Sequence, residues 1–185
     1  GNLELYKMPV KTILKNKKKK KVYDIPEIVN ILKKINKKKV FFVQELVGVR
    51  MGEGTVSAFS FGRSSGTTLG VAHAFEFDVR EVSSIKWKKA YKELNNENMI
   101  KKKTIIKNLR KKSKTLKDKE EKKQNKKEID KLNREIKKEA KEEARNLVIK
   151  NHPKYKDLLK YKNTDGIAES ALIAQYGRKF YNELV

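Results

Sequence analysis

Asp165 and Glu169 stand four residues apart in Asn163-Thr164-Asp165-Gly166-Ile167-Ala168-Glu169-Ser170-Ala171-Leu172-Ile173-Ala174. Side chains at that spacing share one face of a helix. A third acid, Glu45, ends the most apolar run of the chain, Val40-Phe41-Phe42-Val43-Gln44-Glu45. Hard cations prefer carboxylate oxygens, and the helical pair could hold one or two such ions beside the strand carrying Glu45. The plainer roles are a solvent-facing strand-end acid for Glu45 and a helix N-cap for Asp165. Glu169 lies among Ala168, Ala171 and Leu172. It needs a metal or a basic partner there, because burying an unpaired carboxylate is costly. In a chain of formal charge +24, a metal-binding acidic cluster points to an enzyme acting on a polyanion.

The positive charge is concentrated. Residues 1–40 hold 13 basic and 3 acidic residues, and residues 101–150 hold 21 and 9, around a middle segment, 41–100, with 7 of each. Basic segments of this kind are the footprint of phosphate-backbone binding; a lysine-rich surface inherited from an A/T-rich genome is the bland alternative. The chain has no cysteine, which excludes disulfides and thiolate zinc sites and suits a reducing, cytoplasmic setting. No apolar run approaches the roughly 20 residues that span a bilayer, and no secretory signal is visible at the start, so no membrane partner is expected. Gly48, Gly52 and Gly54 are not followed by the Lys-Ser/Thr of a phosphate-cradling loop. The two histidines have no nucleophile motif: His73 reads as a packed helix residue, and His152, before Pro153, as a cap or solvent-facing group.

The elements that must position these residues follow from periodicity. Leu3 to Met8 alternates as a short strand ended by Pro9, and the lysine run Lys17 to Lys21 reads as a solvated loop. Pro26 suits a first helical turn, and Ile25, Ile28, Val29, Leu32 and Ile35 predict an amphipathic helix over 25–37. Val40 to Glu45 reads as a strand buried on both faces. A loop at 48–54 leads to a helix over 55–76, where Gly62, Gly66 and Gly70 predict close backbone approach to a neighbour. Val79 to Val82 is a further strand, and Ile85 to Leu94 a short helix carrying Trp87. Residues 101–150 form a long charged helix or a helical hairpin, with a thin apolar seam that fails between Leu116 and Ile129. Pro153 ends it. Asp165 to Phe180 is the last helix, with Ala168, Leu172, Ile173 and Tyr176 on its buried side.

Several of these segments, in this order, resemble one family. Phe42 to Gly70, with Gln44-Glu45 and Thr55-Val56-Ser57-Ala58-Phe59-Ser60-Phe61-Gly62-Arg63-Ser64, is similar to phage and bacterial RuvC-like Holliday-junction resolvases. So are Val82-Ser83-Ser84-Ile85-Lys86-Trp87-Lys88-Lys89, Lys141-Glu142-Glu143-Ala144-Arg145 and Asp165 to Ala174. The resemblance implies an α/β, ribonuclease H-like mixed sheet flanked by helices. It assigns 1–102 and 141–185 to that domain and 103–140 to a charged helical insertion. It implies structure-selective cleavage of branched or four-way-junction DNA in recombination or repair, homodimerisation, a bacterial or phage-infected cell, and Mg²⁺, or Mn²⁺ in its place. Glu45, Asp165 and Glu169 then become metal ligands and catalytic groups. Arg63, Lys86, Trp87, Lys88 and Lys89 become DNA contacts, with a core position the equal alternative for Trp87. Members of the family open with a strand bearing an Asp-x-Gly aspartate. Gly1-Asn2-Leu3-Glu4-Leu5-Tyr6-Lys7-Met8-Pro9 resembles a later strand, so the chain as it stands is expected to be weak or inactive. The competing reading is a non-catalytic nucleic-acid-binding relative whose lysines do the work. A basic ribosome-associated or structural protein would explain the charge but not the ordered acids.

Overall fold

The computed structural model describes residues 3–15, 17–35, 40–46, 48, 52 and 54–184. The expected helix end at 36–37, the start at Gly1-Asn2 and most of the expected 48–54 loop lie outside them. The chain divides into two compact units, Gly1–Ser84 with Ile173–Val185, and Ile85–Leu172. The division falls at other positions than the 102/103 and 140/141 boundaries expected from sequence.

In the first unit, β1 (Val10–Lys15) and β2 (Lys18–Tyr23) pair antiparallel, with Val10 opposite Tyr23 and Leu14 opposite Lys19. Two expectations are corrected here. Leu3 to Met8 is not a strand, and the lysine run is not a loop. The hairpin turns at Lys17, whose φ is 60°, and the lysines form the second strand. An exposed strand tolerates lysine because backbone ladder bonds hold it while the ammonium groups stay in water. Helix α1 (Ile25–Lys33) follows, with Pro26 in its first turn and Ile28 buried.

β3 (Phe41–Glu45) and β4 (Asp78–Val82) pair in parallel, Phe41 with Asp78 and Glu45 with Val82. The connection between them is α2 (Thr55–Ala74). A parallel pair needs such a crossover, so this is a β–α–β unit. β3 is half-buried along its length rather than covered on both faces, because among the described residues only β4 pairs with it. The glycine expectation in α2 also fails: among the described residues a Cβ at Gly62, Gly66 or Gly70 would meet nothing within 4 Å. That face of α2 is open, and Val56, Phe59 and Phe61 on the same helix are exposed.

The second unit holds α3 (Ser84–Lys89) from Ile85 onward, a 3₁₀ turn at Lys92–Asn95, α4 (Glu97–Thr115), α5 (Lys119–Asn151), α6 (Lys156–Leu159) and the start of α7 (Asp165–Lys179). The expected helix from Ile85 to Leu94 is thus a helix and a separate tighter turn. Of the two alternatives for 101–150, the structure takes the hairpin. α4 starts with the Asn96 side chain accepting from Met99 N, and α5 with Asp118 accepting from Glu120 N and Glu121 N. Such caps satisfy amides that a helix start leaves unpaired. α5, at 33 residues, is about 50 Å long, and it ends just before Pro153 as expected. Lys102 of α4 reaches Glu139 at 3.0 Å and Glu135 at 3.5 Å on α5, and Asn96 and Asn98 donate to Glu139. Among the described residues no helix is long and apolar enough to cross a membrane.

Candidate functional site

α7 begins at Asp165, so Asp165 and Glu169 do share one face, one turn apart. The buried Thr164 just before it donates its hydroxyl to the Tyr161 carbonyl at 2.6 Å and fixes the entry of the helix. Ala168, Ala171 and Leu172 are buried, which anchors the helix and leaves the acids along its edge.

Both acids have basic partners. The Arg145 guanidinium donates to Asp165 Oδ1, and Lys141 Nζ lies 3.2 Å from Oδ2. Lys141 and Arg145 are themselves four apart on α5, so two cations on one helical face meet the first acid of another. The Arg145 and Asp165 side chains are only 12% and 16% exposed, so removing either partner leaves a charge poorly solvated. Glu169 is held by Lys88 Nζ at 3.3 Å. Lys88 also lies 5.0 Å over the Trp87 ring, and Tyr91 packs edge-on to that ring and donates to the Leu172 carbonyl at 2.7 Å. α3 and the turn after it therefore dock on α7 and aim Lys88 at Glu169.

These contacts revise the DNA-contact expectation. Trp87 is fully buried and cannot offer a ring face to a base; it takes the alternative role, a core residue. Lys88 neutralises an acid in the same unit. Lys86 and Lys89 are exposed on α3, and Arg63 is exposed on α2.

Glu45 belongs to the first unit. It ends β3 at the carboxyl edge of the parallel pair, where open α/β sheets place their ligands, and the pairing runs on through Leu46 N to the Val82 carbonyl at 2.9 Å. The side chain before it, Gln44, is tied to α2: it donates to Ser65 Oγ and accepts from Thr68 Oγ1. Strand side chains alternate between faces, so Glu45 lies on the face opposite α2. Phe41 and Val43 occupy that face and meet α7 at Gly177, where an added Cβ would stand 2.6 Å from Val43 Cγ2. Beyond α7, Tyr181 donates to Asp78, stands 3.2 Å from Arg80 Nη2 and packs on Phe41. That hydroxyl, with Arg80 beside it, holds the Asp78 carboxyl below its ordinary range against the opposing effect of burial.

The donor chemistry at Asp165 and Glu169 fits a hard cation, since Mg²⁺ is commonly held by one or two carboxylates with water and phosphate. Arg145, Lys141 and Lys88 already compensate the charge of these two acids, so an ion there would have to displace or share those partners. No group of three His, Cys, Asp or Glu side chains able to hold a metal occurs among the described residues. Sequence reasoning missed Lys141 and Arg145 as partners of Asp165, although their own four-residue spacing was readable. A scan of protein-family models finds no match to this chain, and a search of curated proteins finds none similar to it.

Proposed function

We propose that this chain forms the body of a metal-dependent endonuclease that cuts branched DNA, of the RuvC-like Holliday-junction resolvase kind, built on a ribonuclease H-like fold. One observation carries the reading. An acid ends the first strand of a parallel β–α–β unit, and an acid pair opens the last helix, in the order the resemblance requires. Among the described residues the strands form two separate two-stranded sheets, one antiparallel and one parallel, so the single mixed sheet of that fold is itself part of the proposal. In this reading Glu45, Asp165 and Glu169 are the carboxylates offered to Mg²⁺, or Mn²⁺ in its place. Bound Mg²⁺ supplies charge neutralisation and a more acidic water for phosphodiester hydrolysis. Arg145 and Lys141 hold Asp165 in place, Lys88 does the same for Glu169, and each can turn to an incoming phosphate. Arg63, Lys86 and Lys89 remain proposed DNA contacts. The open face of α2 at Gly62, Gly66 and Gly70 is the surface we assign to a second copy of the chain.

The test is Mg²⁺-dependent cutting of a four-way junction, by this chain and by the longest product of its reading frame. Glu45→Gln and Asp165→Asn should abolish cutting and keep binding. Full activity in either variant removes that residue from the mechanism. A second reading, a nucleic-acid-binding relative without catalysis, is favoured by the basic partners that already satisfy Asp165 and Glu169. Tight junction binding with no cleavage by either product, in Mg²⁺ or Mn²⁺, would establish it instead.

A further inference from the structure

α4 carries eight basic residues and one acid, Glu97. Lys103, Lys107, Arg110, Lys111 and Lys114 recur at intervals of three and four, which makes a single stripe about 16 Å long. They line a groove of about 410 Å³ together with the buried Ile106 and with Asn133 of α5. The neighbouring Lys102 shows what neutralisation looks like in this hairpin, clasped by Glu135 and Glu139. α5 carries eight acids, yet the residue it contributes to the groove is an amide. Among the described residues no carboxylate pairs with Lys107, Arg110, Lys111 or Lys114, and Lys103 donates only to Asn95, at 2.7 Å.

Like charges at helical spacing oppose the helix that bears them. Attraction to the helix C-terminus accounts for a cation in the last turn, such as Lys114, but acts within that turn only. Lys103 and Lys107 gain nothing from it. The stripe presents positive charges about 4 Å apart on average along the helix axis, a density of the same order as the one phosphate per about 3.4 Å of each strand of duplex DNA. We infer that this face of α4 is a binding surface for the phosphate backbone of double-stranded DNA, which grips a duplex arm without reading its sequence. The inference rests on the proposed function only in taking DNA as the partner; it requires neither metal nor cleavage.

The experiment is anisotropy titration of a labelled linear duplex with the full chain across a salt series. K107Q/R110Q/K111Q/K114Q is compared with K18Q/K19Q/K20Q/K21Q on β2, which removes equal charge from the other basic segment. Each phosphate contact contributes about 0.9 to the log–log salt slope. The α4 variant should therefore flatten the slope by up to about 3.6 and weaken binding at least about tenfold at low salt, while the β2 variant changes it less. Far-UV circular dichroism checks that the hairpin stays helical, and K107R/K111R/K114R, which keeps charge, should retain the wild-type slope. Equal losses in the α4 and β2 variants, an unchanged slope in the α4 variant, or loss in the arginine variant would each overturn the inference. So would competition by an acidic peptide as effective as DNA at equal charge. An uncut junction counts against the nuclease alone, and an unaltered salt slope against this surface alone.

Discussion

Replacing Gly177 by alanine measures how closely α7 lies on β3. The new Cβ would stand 2.6 Å from Val43 Cγ2, 3.2 Å from Phe41 Cε2 and 3.3 Å from Val43 Cβ. Carbon atoms pack best at about 3.5–4.0 Å, so the methyl overlaps Val43 by about 1 Å. Val43 is β-branched and has little freedom to rotate away, and Phe41 closes the other side. Overpacking of this kind costs about 1–3 kcal/mol. Alanine recovers about 1 kcal/mol of helix propensity over glycine. The net expectation is a destabilisation of about 0–2 kcal/mol, read from the urea midpoint at unchanged slope. Gly66→Ala in α2 is the matched control. Nothing lies within 4 Å of its Cβ position, so it should gain stability by up to about 1 kcal/mol. If Gly177→Ala stabilises the protein as much as Gly66→Ala does, the close approach of helix and strand is refuted.

Trp87 is the sole tryptophan and is fully buried, so its emission should be blue-shifted, resist iodide quenching and stay unchanged when duplex DNA saturates the protein; quenching by DNA would restore a stacking role. The Lys102–Glu139 clasp sets a pH dependence. Lys102, followed by the amides of Asn98 and Asn96, holds Glu139 below its ordinary range. That contribution is whole above the unfolded glutamate range and is lost as pH falls through the lower folded value. Glu139 in turn raises Lys102, a contribution whole below the unfolded lysine range and lost as pH rises through the folded value. Lys102→Met should therefore flatten both limbs of a stability–pH curve, and an unaltered acid limb would show that the clasp does not couple to folding.

The elements that sequence revealed best are those whose pattern depends on no distant partner. The parallel strands, the helix between them and the last helix carry runs long enough to fix their type. The seam that fails between Leu116 and Ile129 marks the hairpin turn and the exposed start of α5. The β1–β2 hairpin was hidden because lysines in an exposed strand leave no alternating signature, whereas Leu3 to Met8 alternates without adopting a strand. The glycines of α2 have the spacing of a tight contact, but spacing cannot say what covers them. Asp165 and Glu169 were legible as a face. That Arg145, Lys141 and Lys88 meet them depends on helix packing, which no local pattern encodes, and the burial of Trp87 depends on the same packing.

Tyr181 touches Phe41, Asp78 and Arg80, and Phe41 and Asp78 are the paired first residues of the two parallel strands. The ribbon is thus pinned like a clip at its amino edge. The opposite edge, where Glu45 sits, is held instead by the backbone bond from Leu46 N to the Val82 carbonyl. Tyr181→Phe, by removing the hydroxyl, would loosen the amino edge alone and leave the strand pairing at the Glu45 edge in place.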